Sequence, residues 1–199
     1  MNEIKIFNKW STDNITVTDP GLIDYINLRP IIIPRTGGRN VKTQFWKSKN
    51  HIVERLINKL MGPGHKGKKH KITSGHNTGK GTKAYATVEK TFMIIESKTK
   101  ENPVKVLVKA IENAAPREEI TTIEYGGARY PKAVECAPQR RVDLVLRLMT
   151  QGAYGASFGK KKKIEQALAD EILKAYNKDT ASNSLSKKQE LERQADASR

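Results

Sequence analysis

A chain of 199 residues with 37% hydrophobic content, below the roughly 45–50% of ordinary globular domains, makes one modest core with extensions. Its 37 Lys and Arg against 21 Asp and Glu leave a formal charge of +16, a self-repulsion that only a polyanionic partner relieves, and nucleic acid fits best. Cys136 is the single cysteine, which excludes an internal disulfide and any cysteine-rich zinc module. With no run of roughly 18 apolar residues and no charged-then-apolar leader, neither a membrane nor secretion is expected, and the chain reads as cytosolic.

The charge is unevenly spread. Residues 1–34 carry −1, residues 35–83 carry +12 and residues 84–199 carry +5. The basic quarter reads as two cationic loops flanking one short helix. The first loop, Arg35 to Lys42, holds Arg35, Arg39 and Lys42 around Gly37-Gly38; the second, Gly62 to Lys71, holds Lys66, Lys68, Lys69 and Lys71. Glycine-rich cationic loops let backbone and ammonium groups follow a phosphate chain together, though a merely solvated loop has the same composition. Between them Ile52, Val53, Leu56, Ile57 and Leu60 form an apolar stripe at helical spacing, with Asn50 as the expected N-cap.

Two motifs in the second loop invite other chemistry. Gly62-Pro-Gly-His-Lys-Gly-Lys68 fits seven positions of a phosphate-binding loop, but Lys69 stands where Ser or Thr would hold magnesium, a helix rather than a strand precedes it, and no helix pattern follows directly. Nucleotide hydrolysis is therefore not expected. His65, His70 and His76 lie in a stretch whose lysines repel a cation, so neither a metal site nor any cofactor is expected.

From Lys83 to about Ser97 the pattern is an amphipathic helix with Ala84, Val88, Thr91, Phe92 and Ile95 on one face, preceded by the cations Lys80 and Lys83. Asn102 and Pro103 punctuate the start of a third helix that runs to Ala115 before Pro116. A hairpin follows, with Ile120–Ile123 and Tyr130–Val134 as arms, Gly126-Gly127 as the turn, and Arg129 and Lys132 as its cations; it either projects from the body or lies as a small surface ribbon. A fourth helix starts at Pro138 with Arg140 and Arg141 in its first turn. Cations there oppose the helix dipole and hint at an external anion. A glycine-rich link (Gly152, Gly155, Gly159) leads to Lys160, Lys161, Lys162 and Lys163 and a fifth helix bearing Ile164, Leu168, Ile172 and Ala175. Residues 178–199 are polar, with Ser186 and Gln189 spaced as a capping box, and suit a solvated helix or a tail that folds on RNA.

These motifs together resemble the small-subunit ribosomal protein seven family, in its archaeal and eukaryotic branch. The resemblance rests on Lys9-Trp-Ser11, Val53–Met61, Asn77–Lys80, Glu101–Ile111, Pro116–Glu119, Gly126-Gly127, Pro138 with Arg140–Val142, Leu168–Ile172 and Lys187–Arg193, in that order along nearly the whole chain. It implies a mainly α fold: a bundle of five to six helices with one protruding β-hairpin near 120–135, a basic N-terminal extension (1–50), a helical domain (51–177) and a polar C-terminal tail (178–199). It further implies a non-enzymatic scaffold that binds the three-prime major domain of 16S rRNA, nucleates assembly of the subunit head, and lies near exit-site tRNA, the mRNA path and proteins nine and eleven, with no homo-oligomer.

The residues expected at RNA are Arg35, Arg39, Lys42, Lys66, Lys68, Lys69, Lys71, Lys80, Lys83, Arg129, Lys132, Arg140, Arg141 and Lys160–Lys163. With 6% aromatic residues, base stacking on a sheet is a poor fit, and shape should dominate. The rival from another class is a helical DNA-binding regulator reading a groove with Arg140 and Arg141, against which the missing tight helix-turn-helix spacing counts.

Overall fold

Ile52, Val53, Leu56, Ile57 and Leu60 recur every three or four residues. The computed structural model, which describes residues 4–62 and 77–199, makes them the buried face of α1 (Ile52–Met61). The N-cap is His51 rather than Asn50: His51 has extended backbone and its Nδ1 accepts from the Val53 amide at 3.1 Å, whereas the Asn50 side chain is occupied by Asn40. The second basic loop beyond Gly62, with its phosphate-loop pattern and three histidines, lies outside the described residues.

The next helix, α2 (Gly81–Thr99), opens two residues before the expected Lys83 and buries Ala84, Val88, Thr91, Phe92 and Ile95 as its pattern predicts. Lys100, at φ 56°, closes it in the left-handed cap position that ends many helices. Asn102 caps α3 (Pro103–Ala114) through the Val104 amide at 3.0 Å, with Pro103 in the first turn, as expected.

The amino-terminal segment is strapped across these helices. Its short antiparallel ribbon, β1 (Lys5–Ile6) with β2 (Trp10–Ser11), sends Phe7 and Trp10 edge-on against Phe92, at 6.1 and 5.6 Å between ring centroids. Polar hooks hold the rest of the strap. Asn102 Nδ2 donates to the Ser11 carbonyl at 2.6 Å, and Glu112 accepts from the amide and hydroxyl of Thr18. Ile6, Phe7, Trp10, Leu22 and Ile26 thus join the same core as the helices.

The hairpin is longer than its sequence pattern: β3 (Glu118–Tyr125) pairs with β4 (Ala128–Glu135), Thr122 opposite Pro131, around Gly126 and Gly127 at φ 57° and 82°. Two consecutive positive φ values define a turn whose twist matches paired strands, and glycine adopts both without strain. Residues 121–132 are all exposed, so the ribbon projects, while its base is fixed by the Cys136 amide on the Arg117 carbonyl at 2.8 Å.

The expected glycine-rich link is largely helix. α4 (Pro138–Ser157) continues through Gly152 and Gly155, because glycine is here a packing device. A Cβ on Gly152 would stand 2.9 Å from the Asn183 Cβ and 3.1 Å from the Glu171 carboxyl carbon. That close approach lets α4 sit against α5 (Ile164–Tyr176), which also packs on α2 and α3, and against α6 (Asn183–Asp196). The polar tail is therefore a helix docked on the body. Its cap is Ser182 rather than Ser186, because the buried Glu171 carboxylate accepts from the Ser182 hydroxyl at 2.8 Å and the Ser184 amide at 3.0 Å and so fixes the N-terminus there. The outcome is the mainly helical bundle with a protruding hairpin that the family resemblance implies.

Two predictions follow from this packing. Gly152→Ala in an ordinary helix would stabilise by about 0.5–1 kcal/mol, but here the added methyl meets Asn183 and Glu171, and a net loss of about 1–3 kcal/mol is expected in urea unfolding. A gain would show that the three helices separate freely. The second concerns His51, 4% exposed, whose pKa burial lowers to about 4. The unfolded chain takes up a proton near pH 6.5 that the native imidazole refuses, so this contribution is complete above pH 6.5 and is lost as the pH falls towards 4. About 2–3 kcal/mol should disappear between pH 7 and 4.5. His51→Asn, which keeps a capping acceptor but does not titrate, should flatten that window; an equally steep profile in the variant would assign the loss to other groups.

Candidate nucleic-acid interface

A chain with this excess of cations must sort them between its interior and its surface. Two arginines go inside. Arg55 of α1, 6% exposed, donates from Nη1 to the Tyr25 carbonyl at 2.8 Å and from Nη2 to Asp143 of α4 at 3.0 Å. Lys47 reaches the other Asp143 oxygen. Burial alone would raise the Asp143 pKa, but the hydrogen bonds from Lys47 and Arg55 overcome it and hold the carboxyl below its usual range.

Arg141, 8% exposed, donates from Nε to the Pro116 carbonyl at 3.0 Å and from Nη2 to Asp19 at 2.6 Å. The anion opposite Arg141 is thus Asp19 of the same chain, 122 positions away in sequence. Arg140 is matched bidentately to Glu119 at the base of the hairpin, with Nη2 to Oε2 at 2.6 Å. The first-turn cations of α4 that seemed to need an external anion are both met from within.

The displayed cations gather elsewhere. Arg35, Arg39, Lys42, Lys80 and Lys83 are exposed and form no ion pair among the described residues. The fold brings the first basic loop beside the start of α2, around a cleft of about 770 Å³ lined by Arg35, Gly37, Gly38, Asn58, Gly81 and Tyr85, among others. No side chain caps the N-terminus of α2, no acid lies in its first turn, and Lys80 is its N-cap. The Arg35 guanidinium lies close above Gly81. A positive helix end and the unpaired cations on the segments that flank it make this part of the surface attractive to phosphate, although the buried Glu54 also lines the cleft.

A second hollow, of about 400 Å³, opens on an adjacent side of α1, lined by Phe45, Lys47, Lys59, Gln139, Arg140, Asp143 and Arg147, among others. Lys59 is half-buried, and burial lowers its pKa; Asp143 opposes that shift, while Arg147, Lys47 and Arg55 reinforce it. Lys47, Lys59, Gln139 and Arg147 were not among the residues singled out from the sequence. One signal was available: Arg140, Asp143 and Arg147 are spaced by three and four and so share a helix face.

The remaining cations divide. Lys160, Lys161 and Lys163 are exposed and without an ion pair among the described residues, whereas Lys162 bridges to Asp170 at 2.5 Å. On the hairpin Arg129 pairs with Glu124 at 3.3 Å between exposed side chains, a contact worth little in water, and Lys132 has no ionic partner among the described residues. Lys66, Lys68, Lys69 and Lys71 lie outside the described residues. Among the described residues no cluster of His, Cys, Asp or Glu is arranged to hold a metal, and no helix is long and apolar enough to cross a membrane.

The division between inner and displayed cations has an energetic signature. Asp19→Ala strands the buried Arg141 charge and should cost about 3 kcal/mol of stability, whereas Lys83→Ala should change it by less than about 0.5 kcal/mol. Chemical denaturation of the two variants checks this; equal costs would erase the distinction.

Comparison with known proteins adds an independent finding. The family model for ribosomal protein S7p/S5e matches residues 34–199. The chain is 57% identical over 197 residues to small ribosomal subunit protein uS7 of Nanoarchaeum equitans, covering 99% of this chain and 100% of the relative. It is 49% identical over 196 residues to uS7 of Methanothrix thermoacetophila, covering 98% and 100%, and 51% identical over 191 residues to uS7 of Methanosphaera stadtmanae, covering 96% of each.

Proposed function

Because the chain belongs to the ribosomal protein S7p/S5e family, and is thereby a structural constituent of the small ribosomal subunit in the cytoplasm rather than an enzyme, we propose that its displayed cations bind small-subunit rRNA. The observation that carries this reading is that Arg35, Arg39, Lys42, Lys80 and Lys83, on the first basic loop and at the uncapped start of α2, are exposed without any ionic partner among the described residues, with Arg35 beside Gly81 of α2. Charge left uncompensated in the free protein is compensated in the complex, and releasing counterions from phosphates supplies the driving force. The internally paired Arg141 acts as a brace for this surface and makes no phosphate contact itself.

The finer reading follows the family resemblance. The chain binds the three-prime major domain of 16S rRNA, nucleates the subunit head, and places its hairpin, with exposed Tyr125, Tyr130 and Lys132, near exit-site tRNA and the mRNA path. Proteins nine and eleven are its neighbours, and it works as a monomer. The exposed Lys160, Lys161 and Lys163 contact the same RNA, and so, on charge alone, do Lys66, Lys68, Lys69 and Lys71.

Salt dependence tests the electrostatic core of the proposal. Replacing Lys42, Lys80 and Lys83 together by alanine should reduce the slope of log K against log salt by about 2–3 for a transcript of the three-prime major domain, at roughly 0.7–0.9 per lost phosphate contact. An unchanged slope would remove the α2 cleft from the interface. Chemical footprints confined to that domain support the finer reading, and protection elsewhere overturns it.

A further inference from the structure

We infer that the hollow between α1 and α4 is a preformed site for one phosphate group of the RNA backbone, held jointly by Lys59 and Arg147. The inference rests on the rRNA-binding reading and adds to it a contact made by residues that the sequence pattern did not single out. Its central observation is an imbalance of charge inside a recess. Lys47, Lys59, Arg140 and Arg147 all line the hollow, and among the described residues Asp143 is the one acid in its lining.

That acid is already engaged. One Asp143 oxygen accepts from Arg55 Nη2 at 3.0 Å and the other from Lys47. Arg140 is likewise taken up, by its bidentate pair with Glu119. Lys59 and Arg147 are left, and neither forms an ion pair among the described residues. Two cations that line one recess with no free anion beside them repel each other. A phosphate in the recess removes that repulsion and accepts hydrogen bonds from both.

The placement of Lys59 points the same way. A lysine in the last turn of α1 complements the negative end of the helix dipole, but an ammonium in open water does that without being buried. This one is half-buried, and burial lowers its pKa; Asp143 opposes the shift, while Arg147, Lys47 and Arg55 reinforce it. Folding alone does not favour drawing a charge into such surroundings, whereas an anion that joins it there does. The recess, about 400 Å³, lies within the roughly 300–1,000 Å³ that small-ligand sites occupy, so it has room for a phosphate with part of its ribose. Arg147, which is exposed, offers a planar fork for two phosphate oxygens, and Lys59 a point charge. Free inorganic phosphate presents the same chemistry as a backbone phosphate, and the experiment separates the two.

The test uses the full chain, a transcript of the three-prime major domain and phosphate-ethylation interference, which identifies the backbone phosphates that must keep their charge for binding. Lys59→Met keeps an unbranched stem and removes the charge. Arg147→Gln removes a charge at an exposed position, which keeps the inference testable should the first variant fold poorly. Each should weaken RNA binding by about 10- to 150-fold and lower the slope of log K against log salt by roughly 0.7–0.9. Both should abolish interference at one and the same phosphate and leave the other interfering phosphates as in the parent. Neither should lower Tm by more than about 2 °C. Parent-like affinity in both variants, or loss of interference at two different phosphates, would overturn the site. If parent-like RNA binding came with a Lys59-dependent rise of Tm in inorganic phosphate, the hollow would belong to a free anion; without that rise, an acidic side chain of a neighbouring protein would be its occupant. Failure of the parent chain to bind the transcript at all would instead overturn the rRNA-binding reading on which the site rests.

Discussion

Two buried guanidinium groups hold the architecture in place. Arg55 ties the strap at Tyr25 and α1 to Asp143 on α4; Arg141 ties the strap at Asp19 and the end of α3, through the Pro116 carbonyl, to α4. A buried pair of this kind adds little net stability over an apolar substitute, because desolvating both ions costs about as much as their attraction returns. Its value lies in specificity, since each guanidinium has several donors in a fixed plane and only one arrangement of strap, helix and carboxylate matches them. With the strap fixed, the first basic loop has a defined position beside α1 and the start of α2.

The same constraint explains what is left on the outside. The acids of the chain are placed where cations must be neutralised internally, as with Asp19, Asp143 and Glu119, or where they organise helix ends, as with Glu171 at the start of α6. Few remain near the first basic loop and the α2 N-terminus, where Glu54 is buried and spends one carboxylate oxygen on the amide and hydroxyl of Thr36. Positive charge therefore accumulates around α1 through the distribution of acids as much as through the number of lysines. The two hollows beside α1 differ in kind: the larger is lined by Arg35 among mostly apolar residues and the buried Glu54, the smaller by Lys47, Lys59, Arg140 and Arg147 with Asp143.

Local signals in the sequence were sufficient for much of this. Asn102 with Pro103 marked the start of α3, Gly126-Gly127 marked the hairpin turn, and the apolar spacing of α1 and α2 identified their buried faces, because each depends on residues a few positions apart. The larger failures involve partners distant in sequence. Gly152 read as a link, since nothing nearby shows that Asn183 and Glu171 crowd it. Arg141 read as a cation in need of an external anion, since Asp19 is 122 positions away. Ser186 read as a cap until the Glu171 carboxylate is placed beside Ser182 and Ser184.

In the proposed complex the displayed cations, unlike the internally paired ones, form the contact with small-subunit rRNA. Lysine acylation read by mass spectrometry, on the free chain and on the chain bound to the three-prime major domain, tests it most directly. Lys42, Lys80, Lys83, Lys160, Lys161 and Lys163 should react readily in the free chain and become protected in the complex, while Lys105, Lys109 and Lys187, which are paired to acids three or four positions away in sequence, should keep their reactivity. Equal protection of both groups, or protection of the second alone, would contradict it.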